Sequence, residues 1–291
     1  MKTPTRTRAS ADATHEDPAA RAELEPVSFE VPILVGGSER LRLHRQSVSS
    51  FLPARRDVII ALPPDYFQSR RRYPVLYLQD GQNLFDPATS FIKGCIWDVQ
   101  TTTDRLIGEG AIEPLIVVGV YNTGIDRMDE YTPMRDRNLG GGKANLYGRL
   151  LVEELLPWVD RNYRTLEGAA HTGVGGSSLG GLVSLYMGLT WPQVFGRLAV
   201  LSPSVWWSRG AMLEYVRRKR PEPRPRIWMD VGLSEGPAMI KKCDELHRLL
   251  ERRGWREGIE MKYLRVSGGR HSEDAWAKRV DPFLRFLFPA K

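Results

Sequence analysis

From Val27 onward the chain alternates short apolar runs with longer stretches in which apolar positions recur at helical spacing. The runs Asp57–Leu62, Pro74–Gln79, Leu115–Tyr121, His171–Gly175, Arg197–Leu201, Arg226–Val231 and Ile259–Val266 are rich in branched and aromatic residues. Each is bounded by glycine, proline or charge, the signature of buried strands. Between them the spacing predicts helices over about 97–106, 146–161, 238–253 and 274–286, and another that starts at Leu179. Strands that alternate with helices need crossover connections. They imply an α/β fold, with a mainly parallel central sheet covered by helices on both faces. The strands before residue 63 have no helix between them and are expected to form an antiparallel edge of the same sheet.

Composition narrows this picture. The chain has 291 residues, 42% hydrophobic and 26% charged, which suits one globular domain over 27–291. Residues 1–26 carry mixed charge and almost no large apolar side chain, so a disordered N-terminal tail is expected there. That segment lacks the apolar core of a secretory signal, and no later run is apolar enough to span a bilayer. The expectation is a cytoplasmic protein with no membrane partner. The two cysteines, Cys95 and Cys243, form no metal-binding or disulfide pattern. The net charge of +7 is concentrated in Val216–Arg226 and in Arg70–Arg72. No aromatic residues interleave with these clusters, so they read as solvated faces, and no nucleic-acid partner is expected. Oligomeric state is unreadable from the chain, and a homodimer is only the base-rate expectation.

One short stretch carries chemistry. Gly176-Ser177-Ser178-Leu179-Gly180 follows a predicted strand, opens a predicted helix, and fits the G-x-S-x-G pattern. In that context the chain reverses so sharply that side chains two before and two after the serine must be minimal. The turn lifts the Ser178 hydroxyl to the carboxyl end of the sheet, where open α/β sheets place their ligands. A hydroxyl needs a general base. Of the five histidines, His15, His44 and His171 precede the serine and His247 lies inside a predicted helix. His271 follows the last strand, in a loop after Ser267-Gly268-Gly269-Arg270, and is the candidate base. The carboxylate that orients it should follow the preceding strand, where Asp230 and Glu235 both stand. Glu235 is preferred because it lies in the loop past the strand end, from which a side chain can reach an imidazole. Backbone N–H groups of Leu179 and of Gln82 are the candidate oxyanion donors, with Gly81 permitting the tight turn of the second loop. Gly140-Gly141-Gly142-Lys143 lacks the hydroxyl residue and preceding strand of a phosphate loop, and reads as a mobile loop near the site.

The chain resembles the esterase D and enterochelin-esterase-like branch of the α/β-hydrolase superfamily. The blocks that carry the resemblance are VLYLQDGQNLFD (75–86), EYTP (130–133), ELLPWVDRNYRT (154–165), GGSSLGGLVSLY (175–186), LSPSVWW (201–207), DVGLSEG (230–236) and GGRHSEDAW (268–276), in family order. The resemblance implies a serine esterase that needs no cofactor and acts on a small-molecule ester. It puts the acid at Glu235 and an oxyanion donor at Gln82. It departs from many members at Gln79-Asp80-Gly81, where they carry His-Gly or His-Asp-Gly. Asn83, Phe85, Tyr131, Arg135, Trp206, Trp207 and Arg270 are the candidate substrate-binding residues, by loop position. The same triad would serve an acyltransferase, and a binding protein on a hydrolase scaffold is the other alternative.

Overall fold

A computed structural model describes Phe29 and residues 31–290. The expected tail over 1–26 lies outside the described residues. The strands are β1 (Ile33–Leu34), β2 (Leu41–Ser47), β3 (Arg56–Ala61), β4 (Val75–Gln79), β5 (Ile116–Val120), β6 (Thr172–Ser177), β7 (Arg197–Leu201), β8 (Arg226–Gly232) and β9 (Met261–Val266). They form one nine-stranded sheet in the order β1-β2-β3-β5-β4-β6-β7-β8-β9. Pairing is antiparallel from β1 to β5 across β2 and β3, and parallel everywhere else. Every predicted strand is present, and the edge before residue 63 is antiparallel as expected.

Alternation along each strand divides the core between two faces. Val75 and Tyr77 of β4 join the larger apolar cluster, whereas Leu76 and Leu78 join the one on the opposite face. The larger cluster is closed by α3 (Ala144–Arg149), a π-helical turn (Leu150–Leu155), α4 (Leu156–Asn162), α5 (Leu179–Thr190), α6 (Trp207–Arg218) and part of α7 (Pro237–Arg252). The other is closed by α1 (Val99–Gly108) and α9 (Val280–Leu287). Short helices α2 (Arg127–Glu130) and α8 (Glu273–Ala277) sit in loops at the carboxyl ends of β5 and β9.

Two helical expectations change. The helix expected over 274–286 is interrupted at Lys278–Arg279, which separates α8 from α9 and leaves the Arg279 side chain buried. The sequence pattern also missed α6. It is kinked at Ser208, Arg209 and Gly210, all with positive φ, so its apolar spacing is broken at the start. The cationic run that begins at Val216 is therefore partly the end of a helix. No helix among the described residues is long and apolar enough to cross a membrane.

The chain leaves β4 for β5 on one side and reaches β6 on the other. This reversal opens a crevice at the carboxyl end of β4, the usual ligand position in such sheets.

Candidate active site

The glycines around Ser178 answer to close packing. A Cβ on Gly176 would lie 2.9 Å from Gln79 Cβ and 3.0 Å from the Gly180 carbonyl carbon. One on Gly180 would lie 3.1 Å from Gln79 Cβ. β6 therefore turns into α5 directly against the end of β4, and Ser178 takes φ 58° and ψ −120°, a strained conformation for a residue with a Cβ. Its N–H donates to the Leu201 carbonyl at 3.0 Å, which fixes the turn.

The structure brings Ser178, His271 and Glu235 together. Ser178 Oγ lies 3.0 Å from His271 Nε2, and His271 Nδ1 lies 2.8 Å from Glu235 Oε2. Ser204 Oγ sits 3.2 Å from Ser178 Oγ. The imidazole packs edge-on against Trp276, with centroids 4.8 Å apart. Burial pushes the Glu235 carboxyl up, but hydrogen bonds from His271, Ser202 and the Gly232 N–H outweigh it and hold the group below its ordinary value.

Asp230, the other candidate acid, does not face the histidine. It is fully buried at the end of β8 and accepts from Arg279 Nη1 (2.7 Å), Trp228 Nε1 (2.9 Å) and the Ser202 N–H (3.2 Å). Arg279 binds both carboxylates, reaching Glu235 Oε1 at 3.3 Å. Ser202 links them again, since its Oγ donates to Glu235 Oε1 at 2.6 Å and accepts from Arg279 at 2.7 Å. Sequence reasoning missed Arg279. Nothing in a helical pattern marks an arginine as buried until the helix break turns it inward.

The proposed oxyanion groups sit at the starts of two helical turns. Leu179 opens α5, and Gln82 lies in the turn Gly81–Asn83 after β4. First-turn N–H groups have no acceptor within their own helix. The reason for Gly81 differs from the expected one. Asp80, not Gly81, takes the left-handed conformation, at φ 58°. Gly81 is required because a Cβ there would lie 2.5 Å from the Gly119 carbonyl carbon of β5. Asp80 is held in place by Arg127, which donates to its two oxygens at 2.7 and 2.6 Å, and by Asn122 Nδ2 at 2.7 Å.

A cavity of about 420 Å³ opens onto Ser178 and His271. Asp80, Asn83, Asn122, Arg127 and Glu273 supply its polar wall, and Phe91, Ile92 and Trp276 its apolar wall. Of the candidate substrate residues, Asn83 lines this cavity. Tyr131 and Trp207 do not. Both are buried, and the Trp207 indole donates to the Met134 carbonyl at 2.7 Å. Phe85 packs against the α1 side of the core, and Arg135 and Trp206 are exposed away from the cavity lining. Arg270 points to solvent and pairs with Asp274 at 3.6 Å. Loop membership alone did not resolve which way these side chains turn. The glycine turn at 140–142 is pinned as well. Asp129 Oδ1 and Thr132 Oγ1 accept its N–H groups at 2.9 and 3.0 Å, in place of the expected mobile loop.

Comparison with known proteins agrees with this architecture. YbbA of Bacillus subtilis, an uncharacterized protein, is 27% identical over 224 residues, covering 72% of this chain and 84% of that one. The iron(III) enterobactin esterase of Escherichia coli K12 is 33% identical over 119 residues, which span 37% of this chain and 28% of that protein. The crystal structure of the BES protein from Bacillus cereus superposes with a TM-score of 0.69 at 22% identity, covering 90% of this chain and 98% of that one. The family described as "Putative esterase" matches residues 49–287. The chain therefore belongs to that esterase family of the α/β-hydrolase superfamily and is a carboxylic ester hydrolase.

Proposed function

We propose that the protein hydrolyses small-molecule esters through an acyl-enzyme formed on Ser178. The observation that carries this reading is the continuous chain from Ser178 Oγ through His271 to Glu235, at 3.0 and 2.8 Å. Ser178 attacks the ester carbonyl while His271 Nε2 takes its proton. Glu235, held at its other oxygen by Ser202, Gly232 and Arg279, keeps the Nδ1 proton in place and stabilises the imidazolium that forms. The N–H groups of Leu179 and Gln82 receive the charge that develops on the carbonyl oxygen. The alcohol departs with the proton from His271. Water then attacks the acyl-enzyme by the same route and returns Ser178 to its hydroxyl form. The His271 side chain is 40% exposed, which gives water access to the base.

The test is turnover of p-nitrophenyl butyrate. Ser178→Ala is expected to lower kcat by at least ~10³-fold, and a fluorophosphonate probe should label the wild type at Ser178 alone. A Ser178→Ala enzyme that turns over like wild type sinks the reading.

A further inference from the structure

Glu273 is the carboxyl of the cavity wall that the proposed mechanism leaves unused. It begins α8, two residues after His271, and is 8% exposed. Both oxygens accept from neutral donors of the loop after β4. Asn83 Nδ2 reaches Oε1 at 3.1 Å, and the Trp97 indole N–H reaches Oε2. Among the described residues it has no ion pair, since Arg127 spends its charge on both oxygens of Asp80. The two acids of the wall therefore differ: Asp80 is neutralised and Glu273 is not.

We propose that Glu273 is a specificity-determining residue that makes this cavity select against esters whose acyl chain carries an anion and in favour of neutral or hydrogen-bond-donating ones. The inference rests on the proposed reaction at Ser178 for its location. A buried charge with only dipolar partners acts on its surroundings with little screening. A substrate carboxylate in the same cavity meets this field directly, whereas a hydroxyl or amide N–H can donate to it.

The charge can be switched. Burial pushes the Glu273 carboxyl up to about 7, with the Asp80 charge adding to it and Trp97, Arg127 and His271 opposing it. Asp80, Arg127 and His271 are the ionisable groups that act on it. Burial works against the Arg127 charge, but Asp80 outweighs it and keeps the guanidinium protonated. His271 must be neutral to act as base on any ester, so its titration divides out when two esters are compared at one pH.

The experiment compares p-nitrophenyl hexanoate with mono-p-nitrophenyl adipate, which share a leaving group and chain length and differ in one terminal carboxylate. The hexanoate-to-adipate ratio of kcat/KM should rise roughly tenfold from pH 6 to pH 8.5 in the wild type, the size expected for two like charges a few ångströms apart at intermediate dielectric. Glu273→Gln should hold the ratio near the wild-type value at pH 6 throughout. A wild-type ratio independent of pH overturns the proposal whatever the variant does, so it stays falsifiable if Glu273→Gln folds poorly. An equal rise in Glu273→Gln also overturns it, because another group then carries the charge. Ser178→Ala in the same assay separates the two ideas: loss of both activities concerns the nucleophile, while the ratio concerns Glu273.

Discussion

Asp230 and Glu235 stand five positions apart, at the end of β8 and in the loop that follows, and both are buried carboxylates bound to Arg279. Their work differs because their remaining partners differ. Asp230 is enclosed by Arg279, Trp228 and the Ser202 backbone, so its charge is spent inside the core. Glu235 gives one oxygen to the same scaffold and keeps the other for His271, whose side chain reaches solvent. The pair teaches that residue type and burial do not assign a role. The group on the last free lone pair does.

The sharpest way to break this comparison is to exchange the chemistry of Glu235. In Glu235→Gln the donors Ser202, Gly232 N–H and Arg279 hold the amide oxygen at the Oε1 position, so the NH2 group faces Nδ1 and donates to it, which favours the tautomer with its proton on Nε2, toward Ser178. The expected loss in kcat is ~10⁴-fold, roughly 5 kcal/mol of transition-state stabilisation. Thermal unfolding should move far less than activity. If kcat stays within tenfold of wild type, Glu235 does not orient the base.

Asp230→Asn should do the reverse. It leaves Arg279 buried with one charged partner fewer, and breaking a buried pair in this way costs ~3–5 kcal/mol. Urea unfolding should show that loss, while the folded fraction keeps kcat within about a hundredfold of wild type, well above Glu235→Gln. A catalytic loss as deep as that of Glu235→Gln, without loss of stability, would reverse the assignment of the two acids.

Glu273 extends the comparison to a third carboxyl, one without any arginine of its own. Its value of about 7 lies above the ordinary 4.5, so the folded state binds more protons than the unfolded chain between these values. Stability from this group is therefore present at low pH and declines as pH rises through about 7. Between about pH 5 and pH 8 the wild type should lose up to about 3 kcal/mol more than Glu273→Gln, measured by urea unfolding. Equal pH dependence in the two proteins would show that the carboxyl is not strained by burial.

The smallest effect is expected at Ser204, whose hydroxyl is buried 3.2 Å from that of Ser178. Ser204→Ala should change kcat less than tenfold, in keeping with about 1 kcal/mol for one neutral hydrogen bond. A loss beyond a hundredfold would place Ser204 among the groups that orient the nucleophile.

Much of this molecule was legible in the chain. Apolar runs such as Val75–Leu78 and Ile116–Val118 form strands because their burial on two faces leaves few other conformations for them. Gly176 and Gly180 are readable because the strand and helix that flank them are local patterns, although what excludes a Cβ at both is mainly Gln79 of the distant strand β4. The order of Ser178, Glu235 and His271 along the chain is likewise a one-dimensional fact. Side-chain direction within loops was not legible. Tyr131, Trp207 and Asn83 all come from segments at the same end of the sheet, yet only Asn83 lines the cavity.

The sequence by itself determined the alternation of strands and helices, the glycine-bounded serine turn and the one histidine after it that lies outside a predicted helix, since each is read from a pattern of nearby residues. Tertiary structure decided the rest. It chose Glu235 over Asp230 as the neighbour of His271, turned Arg279 inward between them, paired Asp80 with Arg127 and left Glu273 without a cation. Each of those outcomes is set by which charges become neighbours once water is removed, and the partners lie between 36 and 190 residues apart.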